Sequence, residues 1–287
     1  MSPTSLVDAQ RLASAPHALA PDLYIGRSAL VSGGGSGIGK AIAWLLGRLG
    51  ARVVICGRSP ERLAEAKAAM GEAGLTVAAL PCDIRDEVAV TALFDFAERQ
   101  FGPPDLLVNN AGGQYPQAAL DVVAKGWRTV VDLNLTGSWL MMQAAARRWA
   151  AAERPGAVVN IVAANSRGMP GIVHSSSARA GLINASQTAA VEWAPYRIRI
   201  NCVAPGVVET DGLQVYSPEV RAGFAGANPQ KAFADPWDIA QMVAFLGSDA
   251  AKFMTGSTVT MDGGGALWGE LWTTERPDYF APIAAPP

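Results

Sequence analysis

Ser175 and Arg179 stand four residues apart in GMPGIVHSSSARAGL, residues 168–182, with His174 beside them. A serine hydroxyl at a helix start can hydrogen-bond a substrate oxygen or a water, or one of Ser175, Ser176 and Ser177 can simply cap the helix. A guanidinium stays charged at any working pH, so Arg179 can bias a site electrostatically but makes a poor proton shuttle. The alternative for Arg179 is an ion pair on the helix surface, with Glu192 as a partner. His174 reads as a packed, neutral histidine. A hydroxyl beside a fixed cation suits chemistry that builds negative charge on an oxygen, where positioned donors count for more than a strong acid.

A second group of residues has the chemistry of phosphate binding. Ser32-Gly33-Gly34-Gly35-Ser36-Gly37-Ile38-Gly39 follows an apolar run and precedes an amphipathic one. Glycines there permit a tight strand-to-helix turn and close approach of backbone to a pyrophosphate. The helix N-terminus then offers free N–H groups to the phosphates. Arg58 ends the next apolar run, RVVICGR, about 20 residues beyond the glycines. An acid at that place holds a ribose 2′-hydroxyl, whereas an arginine accommodates a 2′-phosphate, so Arg58 favours NADPH over NADH. A solvated loop arginine is the alternative. Asp83 and Ile84, in the CDI that ends the third run, meet the adenine edge. Asn109-Asn110-Ala111-Gly112 ends the fourth run, at the carboxyl edge where open parallel sheets bind ligands.

These residues need elements to hold them. SALVSGG, RVVICGR, VAALPCD, DLLVNNAG, AVVNIVAA, IRINCVAPG and STVTMDGG are short apolar runs that end in turn residues. Such runs suit parallel strands buried on both faces. KAIAWLLGRLG, ERLAEAKAAMGEAG and EVAVTALFDFAERQFG lie between them with helical patterning. The expectation is an α/β, Rossmann-type doubly wound, mostly seven-stranded parallel sheet with helices on both faces. Residues 25–265 form one domain, residues 1–24 an N-terminal extension and residues 266–287 a C-terminal tail. With Trp268 and Trp272 the tail is aromatic enough to pack on a neighbour or over a pocket.

The 287 residues are 50% hydrophobic and 17% charged, with a net charge of −2, so no global basic field attracts nucleic acid or an anionic membrane. No apolar run reaches the roughly 18 residues that span a bilayer. The N-terminus lacks a signal-peptide pattern and the C-terminus a peroxisomal address, so the expectation is a cytoplasmic protein. Cys56, Cys82 and Cys202 read as buried, reduced thiols, and they form no familiar metal spacing with His17 and His174.

GGGSGIG, NNAG, the Asn134 of DLNLTGSW and NCVAPGVVET resemble the short-chain dehydrogenase/reductase family over about residues 25–265. The resemblance implies a nicotinamide cofactor and a homotetramer, for which the apolar run IAQMVAFLG offers interface surface. It also implies that Gly33, Gly37 and Gly39 line the pyrophosphate, and that Asn110, Ala111 and Gly112 border the adenine ribose. Pro205, Gly206, Val208 and Thr210 meet the nicotinamide carboxamide, Arg179 holds the nicotinamide ribose, and Asn134 holds an ordered water. The family's serine, tyrosine and lysine fall near Ala163, at Ser175 and at Arg179, so none is kept. None of Tyr24, Tyr115, Tyr196, Tyr216 and Tyr279 has a lysine four residues later. VNIVA, HSSSARAG, NNAGGQ, KGW and LNLTG resemble a narrower branch, the peroxisomal trans-2-enoyl-CoA reductases. The tyrosine of the related 2,4-dienoyl-CoA reductases falls at Ala164.

Reducing a ketone makes an alkoxide that needs a proton at once. Reducing an enoyl thioester sends hydride to the β-carbon and spreads charge onto the thioester oxygen, which needs donors first. The expected activity is therefore NADPH-dependent reduction of the activated C=C of an enoyl thioester, a small-molecule substrate, with Asn134, Ser175, Arg179 and Tyr115 as catalytic candidates. Tyr115, in the loop after NNAGGQ, is the replacement donor to test, and Tyr216 lies in a substrate lid as a wall. The alternatives are a carbonyl reductase or alcohol dehydrogenase with a rebuilt donor, and a cofactor-binding protein without catalysis.

Overall fold

The structure is a computed structural model and describes residues 6–267 and 278–280. Strands β1 (Ser28–Ser32), β2 (Arg52–Gly57), β3 (Val77–Pro81), β4 (Leu106–Asn109), β5 (Gly156–Ile161), β6 (Ile198–Pro205) and β7 (Thr258–Met261) form one sheet. Every pairing is parallel and the order is β3-β2-β1-β4-β5-β6-β7. The strands are apolar at successive positions because both faces are covered. Val31, Ile55, Val108, Val159 and Val203 point to one layer, and Leu30, Val54, Leu107, Val158 and Cys202 to the other.

The first layer is α1 (Ala9–Ser14), α2 (Gly37–Arg48), α3 (Pro60–Glu72) and α9 (Pro236–Gly247). The second is α4 (Glu87–Phe101), α6 (Ser138–Ala151) and α7 (Val173–Glu192). Helix starts follow local chemistry. Ser59 caps α3 with Pro60 in its first turn, Asp86 accepts from Val88 and Ala89 N–H to cap α4, and Asp235 and Asp238 form a capping box on α9. The short α5 (Ala124–Val131) runs through a π-helical segment, Asp132–Gly137, into α6. A further helix, α8 (Pro218–Phe224), lies in the segment after β6.

The apolar late helix IAQMVAFLG packs Ile239, Ala240, Val243, Ala244 and Leu246 into the first layer and leaves Met242 and Phe245 half-buried. Residues 6–24 pack on that layer too. Leu12 is fully buried, Arg48 Nη1 donates to the Leu12 and Ala15 carbonyls at 2.9 and 2.7 Å, and Trp237 Nε1 donates to Pro16 O at 2.7 Å. Trp268 and Trp272 lie outside the described residues. Among the described residues, no helix is long and apolar enough to cross a membrane.

Candidate active site

The strand order reverses between β1 and β4, so their following loops diverge and open a crevice at the carboxyl edge. A cleft of about 650 Å³ lies there. Of the expected cofactor residues, Gly33, Ser36, Gly37, Ile38, Arg58, Asp83, Ile84, Asn110, Ala111, Gly112 and Thr210 line it. Gly33 and Gly37 have φ of 69° and 50°, the left-handed region that glycine tolerates best. A Cβ on Gly33 would lie 2.7 Å from Asn110 Nδ2, so the turn must be bare to pass beneath β4. These features fit an extended dinucleotide: a glycine turn, a helix N-terminus at Gly37 and a cleft of ligand size.

The remaining expected residues are placed differently. Gly39 is packed against Gly33 O and Asn110 Nδ2 in the first turn of α2, where no side chain fits. Asn110 ties the turn to β4, its backbone N–H donating to Ser32 Oγ and its Nδ2 to Ser32 O, both at 3.0 Å. Asp83 is held by Arg85, whose Nε donates to its two carboxylate oxygens at 2.9 and 3.1 Å, and this pairing keeps its pKa below the ordinary value. Pro205, Gly206 and Val208, at the end of β6 and just beyond it, are not on the cleft wall.

The catalytic candidates come from α7, the π-helical segment and the loop after β4. Ser175 is the third residue of α7; Ile172 is the N-cap, with no side-chain cap, so no serine of HSSSARAG serves as one. Asn134 is fully buried in the π-helical segment, a distortion that commonly re-aims a side chain at functional sites. Its Oδ1 accepts from Gly113 N–H and its Nδ2 donates to Gly113 O, both at 2.9 Å. This two-point contact fixes which end of the amide is the donor. Nδ2 also donates to Ser175 Oγ at 3.3 Å. Ser175 Oγ is therefore an acceptor within the protein, and its own hydrogen is left for another partner.

Arg179 is 8% exposed and donates from Nη1 to Ile161 O at 2.6 Å. Its Nη2 lies where a side chain on Gly112 would be. Burial lowers its pKa to about 10, so it remains a cation at neutral pH. No ion pair among the described residues involves Arg179, and the surface pairing with Glu192 is corrected by its burial. Its contact with Gly112, which does line the cleft, is what links it to the cofactor region. Tyr115 packs edge-on against His174 with ring centroids 4.5 Å apart, but its hydroxyl lies against Gly126 of α5. The structure does not bring that hydroxyl to Ser175. His174 is fully buried, its Nδ1 accepts the Ser175 N–H at 2.7 Å, and burial lowers its pKa.

Some site residues carried no signal in the reading of the motifs. Ser59 and Arg62 join Arg58 on the cleft wall, brought there by the first turn of α3. Ser59-Pro60 is a helix-start signal that could have placed them. Gln114, which the motifs did not single out, donates from Nε2 to Oη of Tyr216, the expected lid wall, at 2.6 Å, and neither residue lines the cleft. No spacing links two residues so far apart in sequence. Cys56, Cys82 and Cys202 are buried and free, and Cys82 lines the cleft.

A family profile described as enoyl-(acyl carrier protein) reductase matches residues 33–265. A Bacillus subtilis (strain 168) protein named probable 2,4-dienoyl-CoA reductase, (2E)-enoyl-CoA-producing, is 36% identical over 243 residues, which cover 83% of this chain and 96% of that protein. Cis-4-hydroxycyclohexanecarboxylate dehydrogenase of Sinomonas cyclohexanicum is 40% identical over 249 residues, 85% of this chain and 98% of that protein. Among solved structures, a citronellol catabolism dehydrogenase of Pseudomonas aeruginosa PAO1 superposes with a TM-score of 0.79 at 36% identity, covering 87% of this chain and 99% of that one.

Proposed function

The chain belongs to the short-chain dehydrogenase/reductase family, and from that premise we propose that it reduces the activated C=C of an enoyl thioester, of the trans-2-enoyl-CoA type, with NADPH. The family supplies the coarser fact, an oxidoreductase that uses a nicotinamide cofactor. The observation that carries the finer step is the state of Ser175. It stands at the start of α7 with Oγ accepting from Asn134, so its hydrogen is left free for a further acceptor. A serine hydroxyl donates a hydrogen bond readily but gives up its proton poorly. That suits a thioester oxygen gaining enolate charge and does not suit an alkoxide that must be protonated at once.

The cofactor, when bound, supplies the hydride. The glycine turn Gly33–Gly37 would receive its phosphates on backbone N–H groups, with Thr210 against Gly37 and Gly112 also on the cleft wall. Arg179 is a buried cation behind Gly112 that lowers the energy of negative charge in the site. NADPH preference rests on Arg58, with Ser59 and Arg62 beside it on the cleft wall. Arg58→Asp is expected to shift the preference to NADH, read as the ratio of kcat/KM for the two cofactors; an unchanged ratio removes Arg58 from that role.

The Sinomonas relative supports a second reading, oxidation of a secondary alcohol or reduction of a ketone. That chemistry needs a proton donor that Ser175 and Arg179 do not replace. An NADPH-oxidation panel of enoyl-CoAs, free enals and ketones decides between the two. Turnover of the enoyl thioester is expected; ketone turnover by the unaltered protein overturns the proposal. Ser175→Tyr with Arg179→Lys is expected to gain ketone reduction. Association into a homotetramer follows from the family resemblance and is checked by sedimentation equilibrium.

A further inference from the structure

Protonation of the α-carbon lacks a residue in the site described above, and the five tyrosines differ in what their hydroxyls do. Tyr24 donates to Ala244 O at 2.6 Å in the core, and Tyr279 donates to Pro229 O at 2.9 Å. Tyr196 sits just before β6, at the amino edge of the sheet, opposite the cleft. The Tyr115 hydroxyl faces α5 at Gly126. Tyr216, in the segment after β6 read from the sequence as a lid, is held to the loop after β4, next to Tyr115. Its ring stands edge-on to Phe224 of α8, with centroids 5.1 Å apart, and its oxygen accepts from Gln114 Nε2 at 2.6 Å. Among the described residues nothing accepts its hydrogen.

The position of Gln114 makes this contact informative. Gly113 before it is clamped by Asn134, which also holds Ser175. Tyr115 after it packs on His174, the neighbour of Ser175. The loop is thus fixed on both sides of Gln114, and Gln114 reaches up to the lid. Its amide donates to the phenol oxygen, which leaves the phenol hydrogen as the free donor.

We propose that Tyr216 is the acid that protonates the α-carbon, brought by the lid and aimed by Gln114. This rests on the enoyl thioester reading. After hydride adds to the β-carbon, the former C=C electron pair lies in the α-carbon–carbonyl enolate, whose oxygen Ser175 holds. That pair then forms the α-carbon–hydrogen bond as the Tyr216 O–H bond breaks. The carbonyl is restored, and the phenolate recovers a proton from water. The substrate gains two electrons with the hydride and one proton, and only the cofactor is oxidised. Burial raises the Tyr216 pKa above its ordinary value, so the resting side chain is the neutral phenol that the step requires.

The test is reduction of a trans-2-enoyl-CoA with NADPH in D2O, with the configuration of the deuterated α-carbon as the readout. The unaltered enzyme is expected to give one configuration. Tyr216→Phe keeps the ring on Phe224 and is expected to give both, with kcat lower by roughly a hundredfold or more, while the NADPH dissociation constant from fluorescence titration stays the same. Gln114→Leu, which leaves the phenol without its anchor, is expected to scramble the label less. A Tyr216→Phe enzyme that still delivers one configuration overturns the assignment, whether or not its rate falls, because the hydroxyl then serves only the lid. An unscrambled Gln114→Leu product overturns the aiming role. An unaltered enzyme inert toward every enoyl thioester overturns the functional reading and this assignment together, whereas an active one with an indifferent Tyr216→Phe variant overturns this assignment alone.

Discussion

Ser175 and His174 are neighbours on α7 with separable tasks. Ser175 accepts from Asn134, and under the proposed function its hydrogen serves the substrate. Ser175→Ala is therefore expected to lower kcat on an enoyl thioester by roughly 10²–10³-fold, the usual cost of removing one oxyanion donor. Cofactor affinity should stay unchanged, and steady-state kinetics with a cofactor titration separates the two. His174 acts on stability. Its folded pKa lies below its ordinary 6.5 because burial disfavours the cation. Below pH 6.5 the unfolded chain then binds more protons than the folded one. The stability from neutral His174 is present above that pH and is lost as pH falls toward the folded pKa. Urea midpoints from pH 7.5 to 5 should fall in the unaltered protein and fall less in His174→Gln. Equal slopes would show that His174 carries no such linkage.

At the scale of elements, the π-helical segment Asp132–Gly137 positions Asn134 in the site. It turns Asn134 toward Gly113 and Ser175, and it ends on Gly137, pressed against Ile84. Ile84 also lines the cofactor cleft. A Cβ on Gly137 would lie 2.7 Å from Ile84 Cγ1, so Gly137→Ala must push Ile84 or the segment aside. The expected cost is about 1–3 kcal/mol from urea unfolding, with weaker cofactor binding measured by fluorescence. A stable variant with unchanged binding would show that the contact gives way freely. The strands and most helices were legible in the sequence, because two-sided burial writes a continuous apolar run and caps write Ser59-Pro60 or Asp235-Pro236. The π-helical segment was not legible. DLNLTG carries an ordinary helical pattern, and the extra residue in its turn is imposed by what Asn134 and Gly137 must touch.

Across the whole molecule, one sheet carries two apolar layers, and the cleft lies where the strand order reverses. Residues 6–24 add to the first layer, and none of them lines the cleft. Leu12 is fully buried there, and Arg48 bonds two carbonyls around it. Leu12→Ala is expected to cost about 2–5 kcal/mol of stability and to leave the KM for cofactor and substrate unchanged at temperatures where the protein is folded. Chemical denaturation and kinetics together check this; a kinetic change would mean that the segment reaches the site.

The sequence by itself determined the alternating βα order, the glycine turn, the position of Arg58 and the loss of the tyrosine and lysine at Ser175 and Arg179. Those features are written in short windows: apolar periodicity, turn residues and fixed spacings act over a few residues. Only the tertiary structure decided what Ser175 and Arg179 became. Asn134, 41 residues from Ser175, donates to that hydroxyl and so leaves its hydrogen for another partner. Arg179 is a buried cation on Ile161 O and not a surface ion pair, because α7 packs on β6 and against the π-helical segment. The same packing turns the Tyr115 hydroxyl toward Gly126, while Gln114 takes hold of Tyr216 on the lid. Hydroxyl direction and burial depend on contacts between elements far apart in the chain, so no local pattern could have fixed them.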